Sequence, residues 1–372
     1  MWRTSCKFIV RDPRLSLAAI TGIAVAVLIA FVEMGFMNGV IDSHLRIVRA
    51  VRGELVVLDA KRDNLTKWDE LSAIRLQQIA AIPGVSAVLP VYQAGVGFRS
   101  SPDQPYHRII LLAFAPDAPP LDLGWSPTAL AALRRPGSVL FDRMSQPIYG
   151  ELTPGRDVWI DQYRMTLAGF VSLGPNVIND GTIIASESTL KLSAPDATPR
   201  MAVIRLSPET DPQRIKNAIH DVTGHQVDAF QPAELAARET AYLRKVAPIG
   251  QLFGAGMMAG LFVGMLICYQ AVYESVRRRL KAFATLKAMG FSDGSIFWSV
   301  MAQSVFLGLG GYLAGLILAW FADGLIAHRT GLAVELTFWR ACAIAGGCIA
   351  ACALAGTAAA VKAVRTDPGS LL

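Results

Sequence analysis

Apolar residues follow two different rhythms along this chain. In four long runs, at 15–36, 249–273, 296–327 and 338–361, they are nearly continuous. Over 37–248 they come instead in short alternations broken by Pro, Asp and Gly. Each run holds the roughly 20 apolar residues that a helix needs to cross a hydrocarbon core about 30 Å thick. The middle region has the mixed polarity and turn residues of a chain folded in water. The pattern predicts a membrane α-helical protein of four transmembrane helices, with an extracytoplasmic α+β domain between helices 1 and 2.

Inside the middle region the period changes again. Residues 37–51 continue the first run at helical spacing through Val40, Ile41, Leu45 and Val48. Residues 232–246 lead into the second run, with Pro232 at a first turn followed by Leu235, Ala236, Leu243 and Val246. These segments predict two stalk helices rising side by side, which would couple the domain to the first two spans. A helix is expected at 69–81, stopped by Pro83-Gly84 and followed by a strand at 85–92. Residues 200–206, 211–222 and 226–230 predict a strand, a helix and a strand. Short strands at 138–141, 157–160, 165–171 and 181–184 read as a meander between the two helix–strand groups.

Small residues recur every fourth position in the spans. They are Ala18, Gly22, Ala26 and Ala30 in the first, Gly256, Gly260 and Gly264 in the second, Gly311 and Gly315 in the third, and Ala343, Gly347, Ala351 and Ala355 in the fourth. That spacing lines one helix face and lets backbones approach, which matters because lipid supplies little hydrophobic drive for helix association. Gly22, Ala26, Gly256, Gly260, Gly264, Gly311, Gly315 and Gly347 are the expected packing positions. Ionisable residues are scarce: Glu33, read as an interfacial boundary residue, Asp323, and Arg340 at an edge. Such a bundle argues against an ion channel or a proton-coupled carrier.

Composition agrees with a half-membrane protein: 53% hydrophobic and 17% charged residues over 372 positions. The net charge of +6 matters through its placement. Arg3, Lys7, Arg11 and Arg14 precede the first span, Arg277, Arg278, Arg279, Lys281 and Lys287 lie between the second and third, and Lys362 and Arg365 follow the fourth. The positive-inside rule then puts an amphipathic segment 1–14, the connection 274–295 and the tail 362–372 in the cytoplasm, and 37–248 with the short loop 328–337 outside. Basic residues that flank spans do not predict nucleic-acid binding. The first run exceeds a signal-peptide core and lacks a small-x-small site, so an uncleaved anchor is expected.

No cysteine falls in 40–245, so the outside domain is expected to hold no disulfide, and Cys348 and Cys352, one turn apart, read as small interface residues. His220 and His225 are five apart, off the spacing of a helical zinc pair, and no H-E-x-x-H occurs. No metal, cofactor or catalytic residue is expected in this chain.

The connection 274–295 carries the distinctive chemistry. A basic run from Arg277 to Lys281 suits anionic lipid. Phe283, Leu286 and Lys287 then share one helix face, Gly290 is placed to close that helix in the left-handed conformation, and Ser292 or Asp293 can cap the next. A short helix fixed across the cytoplasmic mouth is a handle for a partner.

Phe283-Ala284-Thr285-Leu286-Lys287-Ala288-Met289-Gly290-Phe291 resembles the signature of the FtsX-like permeases, the MacB/LolC/LolE superfamily of ABC transporter membrane subunits. Gly22-Ile23-Ala24, Met34-Gly35-Phe36 and Ile41-Asp42-Ser43 are similar to its DevC-like branch, and Ile82-Pro83-Gly84-Val85 and Ser207-Pro208-Glu209-Thr210-Asp211 resemble turns of the family's outside domain. Two positions depart from the family: Ala282 replaces an acidic residue, and Gln303-Ser304 replaces Gln-Glu. The resemblance implies a non-catalytic permease of the bacterial inner membrane, with a coupling helix at Arg279, Phe283, Leu286, Lys287, Met289, Gly290 and Phe291. It implies a separate ATPase that binds ATP and Mg, since this chain has no G-x-x-x-x-G-K-[ST]. It also implies a second permease copy, as homodimer or heterodimer, a periplasmic adaptor or membrane fusion protein, and contact with membrane lipid. The implied mechanism is mechanotransmission to the outside domain to export or extract lipid-like or hydrophobic cargo, the alternative being regulation of an envelope hydrolase.

Overall fold

The computed structural model describes residues 13–65, 67, 69–145, 147–173, 180–280, 283, 285, 289, 290, 292–330 and 337–364. Four helices are long and apolar enough to cross a membrane: α1 (Pro13–Arg49), and, after the middle domain, three more that are numbered below in chain order. The first is unbroken, so the span expected at 15–36 and most of the stalk expected at 37–51 lie on one helix, which ends at Arg49. Nothing interrupts it, because Gly22, Gly35 and Gly39 are scattered and no Pro follows Pro13.

Residues Val40–Ala247 form one compact unit and the remainder of the described chain forms another. The first unit contains β1 (Leu55–Asp59), α2 (Ala73–Ala80), β2 (Val85–Arg99), β3 (His107–Phe114), α3 (Pro127–Leu133), β4 (Ser138–Asp142), β5 (Asp157–Ile160), β6 (Tyr163–Val171), β7 (Thr182–Ser186), α4 (Glu187–Ser193), β8 (Met201–Leu206), α5 (Pro212–Thr223), β9 (Val227–Phe230) and α6 (Pro232–Lys245). The other contains α7 (Pro248–Arg277), α8 (Asp293–Thr330) and α9 (Phe338–Val364) with the first part of α1.

The strands do not form the expected meander. The strands β2, β3, β7, β4, β6 and β5 pair in that order and β5 returns to β2, closing a ring of six with parallel pairs at β3–β7 and β4–β6. Non-local parallel pairing leaves no local turn signature in the sequence, which is why spacing alone suggested a meander. The ring is filled from alternate positions: Ile109, Leu111 and Ala113 of β3 point in, against Phe98, Phe141 and Tyr149, whose rings lie 5.4–5.5 Å apart.

The long strand β2 belongs to two sheets. Its first half pairs with β8 in the order β2-β8-β1-β9, and its second half pairs with β3 in the ring. The strand expected at 85–92 runs on to Arg99, because the alternation continues through Ala94, Val96 and Phe98 although Gly95 and Gly97 weaken the local strand signal. Gly97 is there for space: a Cβ would lie 3.1 Å from the Tyr106 ring, and its N–H donates to Asp161 Oδ1 at 2.8 Å. The helix expected at 69–81 starts only at Ala73, after Ser72 in an extended conformation. Leu71 is fully buried without being helical, and its N–H donates to Pro199 O at 2.9 Å.

Strand β1 explains the layering. All five of its residues are buried. Leu55 and Val57 pack on α2 and α5 through Ile79, Ile215 and Ile219, while Val56 and Leu58 join Val48 of α1 and Leu235 of α6. Both stalk helices thus press on one face of the same sheet. Polar signals set the remaining helix ends: Asp211 Oδ1 accepts from Gln213 N at 3.0 Å, and Gly224 ends α5 at φ 60°.

Candidate functional site

Two places concentrate the polar and special-backbone features: the connection between α7 and α8, and the meeting of the stalks. At the connection, helical hydrogen bonding runs on past Arg277. Arg279 N donates to Val276 O at 2.9 Å and Phe283 N to Arg279 O at 3.0 Å. Phe283 and Thr285 are helical, Met289 N donates to Thr285 O at 3.0 Å, and Gly290 takes φ 89°. That is the left-handed closure the sequence calls for, and an L side chain there would be strained. Just beyond it, Ser295 N and Oγ both donate to Ser292 O, at 2.9 and 2.8 Å, where α8 begins. Leu286, Lys287 and Phe291 lie outside the described residues.

The described residues among those expected to form the coupling helix do not all face one way. Phe283 is 8% exposed and packs into the bundle core with Val276 and Ile296, whereas Met289 is 63% exposed. Phe283 therefore holds the segment to the bundle, and Met289 is left on the surface. Arg279 is half-buried between them.

The eight packing positions all lie at helix–helix contacts. A Cβ on Gly22 would come 2.8 Å from Ile267, on Gly264 3.0 Å from Ala26, and on Gly315 2.7 Å from Val27 and 2.8 Å from Ala24 O. Gly260 faces Ala26 O at 3.4 Å, Gly347 faces Leu261 at 3.3 Å, Gly311 is occluded by Ile23, and Ala26 itself is 3% exposed. Gly256 faces a carboxylate, 2.7 Å from Glu33 Oε1. Two further seams come from residues the four-residue spacing skips. Cys352 lies 2.8 Å from where a Gly308 Cβ would be, with Cys348 Sγ 3.7 Å from Gly308 O. Buried Ser304 occupies the space a Gly356 Cβ would need, and Gln303 Nε2 donates to Ser275 Oγ at 2.9 Å. Close packing of Ser304 leaves no room there for a longer acidic side chain.

The stalks were expected to rise side by side, but the residues that join them carry no signal in the sequence. His44, late in α1, donates from Nε2 to Glu239 Oε2 of α6 at 3.0 Å, with side chains 8% and 0% exposed. The same oxygen accepts from Leu65 N at 3.0 Å, while Glu239 Oε1 is buried and has no hydrogen-bond partner among the described residues. Beside it the Arg62 guanidinium is 2% exposed and donates to Arg200 O at 2.6 Å, Leu65 O at 2.8 Å and Asn64 O at 3.3 Å. Burial pulls Arg62 down to about 10, and the charge of Glu239 opposes that shift. One carboxylate thus joins both stalk helices and the loop after β1. His44 and Glu239 are 195 positions apart, and neither belongs to a local motif.

Among the described residues, other chemistry does not assemble into a site. The His220 and His225 rings are 5.3 Å apart, and among the described residues no group of three or more metal-binding side chains occurs. Gly290-Phe291-Ser292-Asp293-Gly294 spells G-x-S-x-G, but helical Thr285 and Ser295 lie on either side of it, and among the described residues no strand leads into it as a nucleophile elbow requires. Ser188-Thr189-Leu190-Lys191 spells S-x-x-K, and its lysine is tied to Glu187 Oε1 at 2.6 Å.

Residues 254–368 match the family described as FtsX-like permease C-terminal. An uncharacterized ABC transporter permease protein of Mycobacterium tuberculosis is 34% identical over 74 residues, which is 20% of this chain and 9% of that relative. The chain therefore covers only a small part of that relative's length. Among solved structures, the periplasmic region of MacB from Actinobacillus actinomycetemcomitans is similar at 10% identity and TM-score 0.37, over 50% of this chain and 91% of that one. The extracellular domain of the noncanonic ABC-type transporter YknZ from Gram-positive bacteria is similar at 15% identity and TM-score 0.34, over 48% and 98%. Likenesses this distant carry no argument about function.

Proposed function

We propose that the chain is an ABC transporter permease of the FtsX type, and that it works as a lever that passes the strokes of a separate ATPase to its own extracytoplasmic domain. The observation that carries this reading is α1, one unbroken helix from membrane span to domain, bonded to α6 through buried His44 and Glu239. A continuous helix transmits tilt because bending it would break backbone hydrogen bonds. A buried joint keeps the two stalks from slipping past each other. The seams of small residues in the bundle support rigid-body motion in place of a polar pathway.

On this reading the ATPase, which binds ATP and Mg, grips the connection at Arg279, Leu286, Lys287, Met289 and Phe291. Phe283 and Gly290 fix its geometry. Two permease copies sit in the inner membrane with their termini inside, and the cargo is lipid-like or hydrophobic, handled at the outer face with or without an adaptor. The test uses the full chain in nanodiscs with its ATPase. Met289→Asp and Leu286→Asp are expected to abolish co-purification of the ATPase while the permease stays folded. His44→Ala is expected to keep the ATPase bound but lose stimulation by cargo. ATPase retained at wild-type levels by both aspartate variants sinks the assignment of the handle. Stimulation by a bound envelope hydrolase, and by no amphiphile, would favour the regulator over the exporter.

A further inference from the structure

Within the bundle one ionisable group is unaccounted for by packing. Glu33 of α1 is half-buried, and among the described residues its carboxylate makes no hydrogen bond or ion pair. It sits on the bare backbone of Gly256 in α7, where a Cβ would come 2.7 Å from Oε1 and 2.8 Å from Cδ. One turn further along both helices, Phe36 stacks on Phe253, with centroids 6.2 Å apart and planes within 4°. Phe36 follows Glu33 by three residues, and Phe253 precedes Gly256 by three, so carboxylate and ring pair occupy the same helix–helix seam.

Depth says what meets this seam. At 1.5 Å per residue Glu33 is about 28 Å along its helix from Arg14, and Gly256 about 31 Å from Arg277. Both distances are close to the thickness of a hydrocarbon core, about 30 Å. With the basic ends at the inner interface, as in the reading above, Glu33 lies at the outer interface, among lipid headgroups. A carboxylate removed from water needs a compensating charge or a proton. Aromatic faces beside it favour an organic cation.

We propose that Glu33, seated on Gly256 beside the Phe36–Phe253 pair, is a recognition site for the protonated primary amine of an amphiphile at the outer face of the membrane. The carboxylate takes the ammonium as a charge-assisted hydrogen-bond partner, the ring pair faces it from one turn further out, and the alkyl tail runs inward along exposed Ile29, which lies against Gly260 one turn below. Gly256 is what makes room. The proposal rests on the orientation given in the proposed function and deepens it by naming a cargo class.

The test measures binding of a fluorescent alkylamine with a free primary amine, and of the matched alcohol, to the full chain in nanodiscs that lack amine lipids. The wild type is expected to bind the amine about tenfold tighter than the alcohol, the size of one charge-assisted contact. Glu33→Gln should erase that preference and Glu33→Asp should keep part of it. Phe36→Leu, which spares the carboxylate, should weaken amine binding about threefold. Equal binding of amine and alcohol by the wild type overturns the site. So does a preference that survives Glu33→Gln. Because no ATPase is present, an amine preference persists even if the lever reading fails, and a missing preference with ATPase coupling intact sinks this site alone.

Discussion

At the residue scale, buried charge decides more than surface charge. The eleven ion pairs of the described residues are mostly exposed, and pairs of that kind contribute about 0–1 kcal/mol each. His44–Glu239 is different, because removing one partner strands the other in the interior. His44→Ala is expected to destabilise the Val40–Ala247 unit by about 3–5 kcal/mol, while a double replacement of both partners by apolar residues recovers much of the loss. Denaturant unfolding of the full chain in detergent, followed on that unit, measures both. A pH dependence belongs to Glu187. Burial pushes its carboxyl up, but hydrogen bonds from Lys191 and from Tyr92, at 2.6 and 2.8 Å, outweigh this and hold it below the usual carboxylate range. A lowered folded value means stability fully present above the unfolded pKa of about 4.3 and lost as pH falls through the folded value. Tyr92→Phe removes one of the two bonds, so the drop in melting temperature between neutral and acid pH is expected to shrink. An unchanged acid slope would show that Tyr92 does not hold that charge.

Glycine seams are the matter of the element scale, and they can be separated by contact. Gly315→Ala must push Val27 and the Ala24 carbonyl apart and is expected to cost about 1–3 kcal/mol in resistance to SDS unfolding. Gly254→Ala and Gly346→Ala meet nothing within 4 Å and should be neutral or stabilising by up to about 1 kcal/mol, from helix propensity alone. Equal effects at all three positions would deny that Gly315 is a contact residue. The four-residue spacing made these faces legible, since 3.6 residues per turn converts spacing directly into a stripe. It did not show Gly308 or Gly356, whose partners Cys352 and Ser304 come from a neighbouring helix. In the connection between α7 and α8, spacing grouped Phe283 with Leu286 and Lys287 on one face. The bundle claims it instead, because an isolated helix pattern does not say which apolar residue finds a core.

For the whole molecule, the proposed arrangement in the membrane has a direct check. The described cysteines, Cys268, Cys342, Cys348 and Cys352, all lie in the spans. A single new cysteine at exposed Asp103, in a cysteine-free background, is expected to react with a membrane-impermeant maleimide in intact cells or spheroplasts, and one at Arg278 only after lysis. The reverse pattern would invert the lever.

What the sequence by itself determined is whatever rests on local period and on thermodynamic transfer. Twenty apolar residues in a row fix a span, basic flanks suggest its direction, and Gly290 or Asp211 sets a helix end, because each depends on a residue and its near neighbours. Tertiary structure alone decided the closure of β2, β3, β7, β4, β6 and β5 into a ring, the sharing of β2 between two sheets, and the burial of His44 against Glu239. Those features arise from pairings between distant segments, where what selects a partner is the shape and charge of a surface that exists only once the chain has folded.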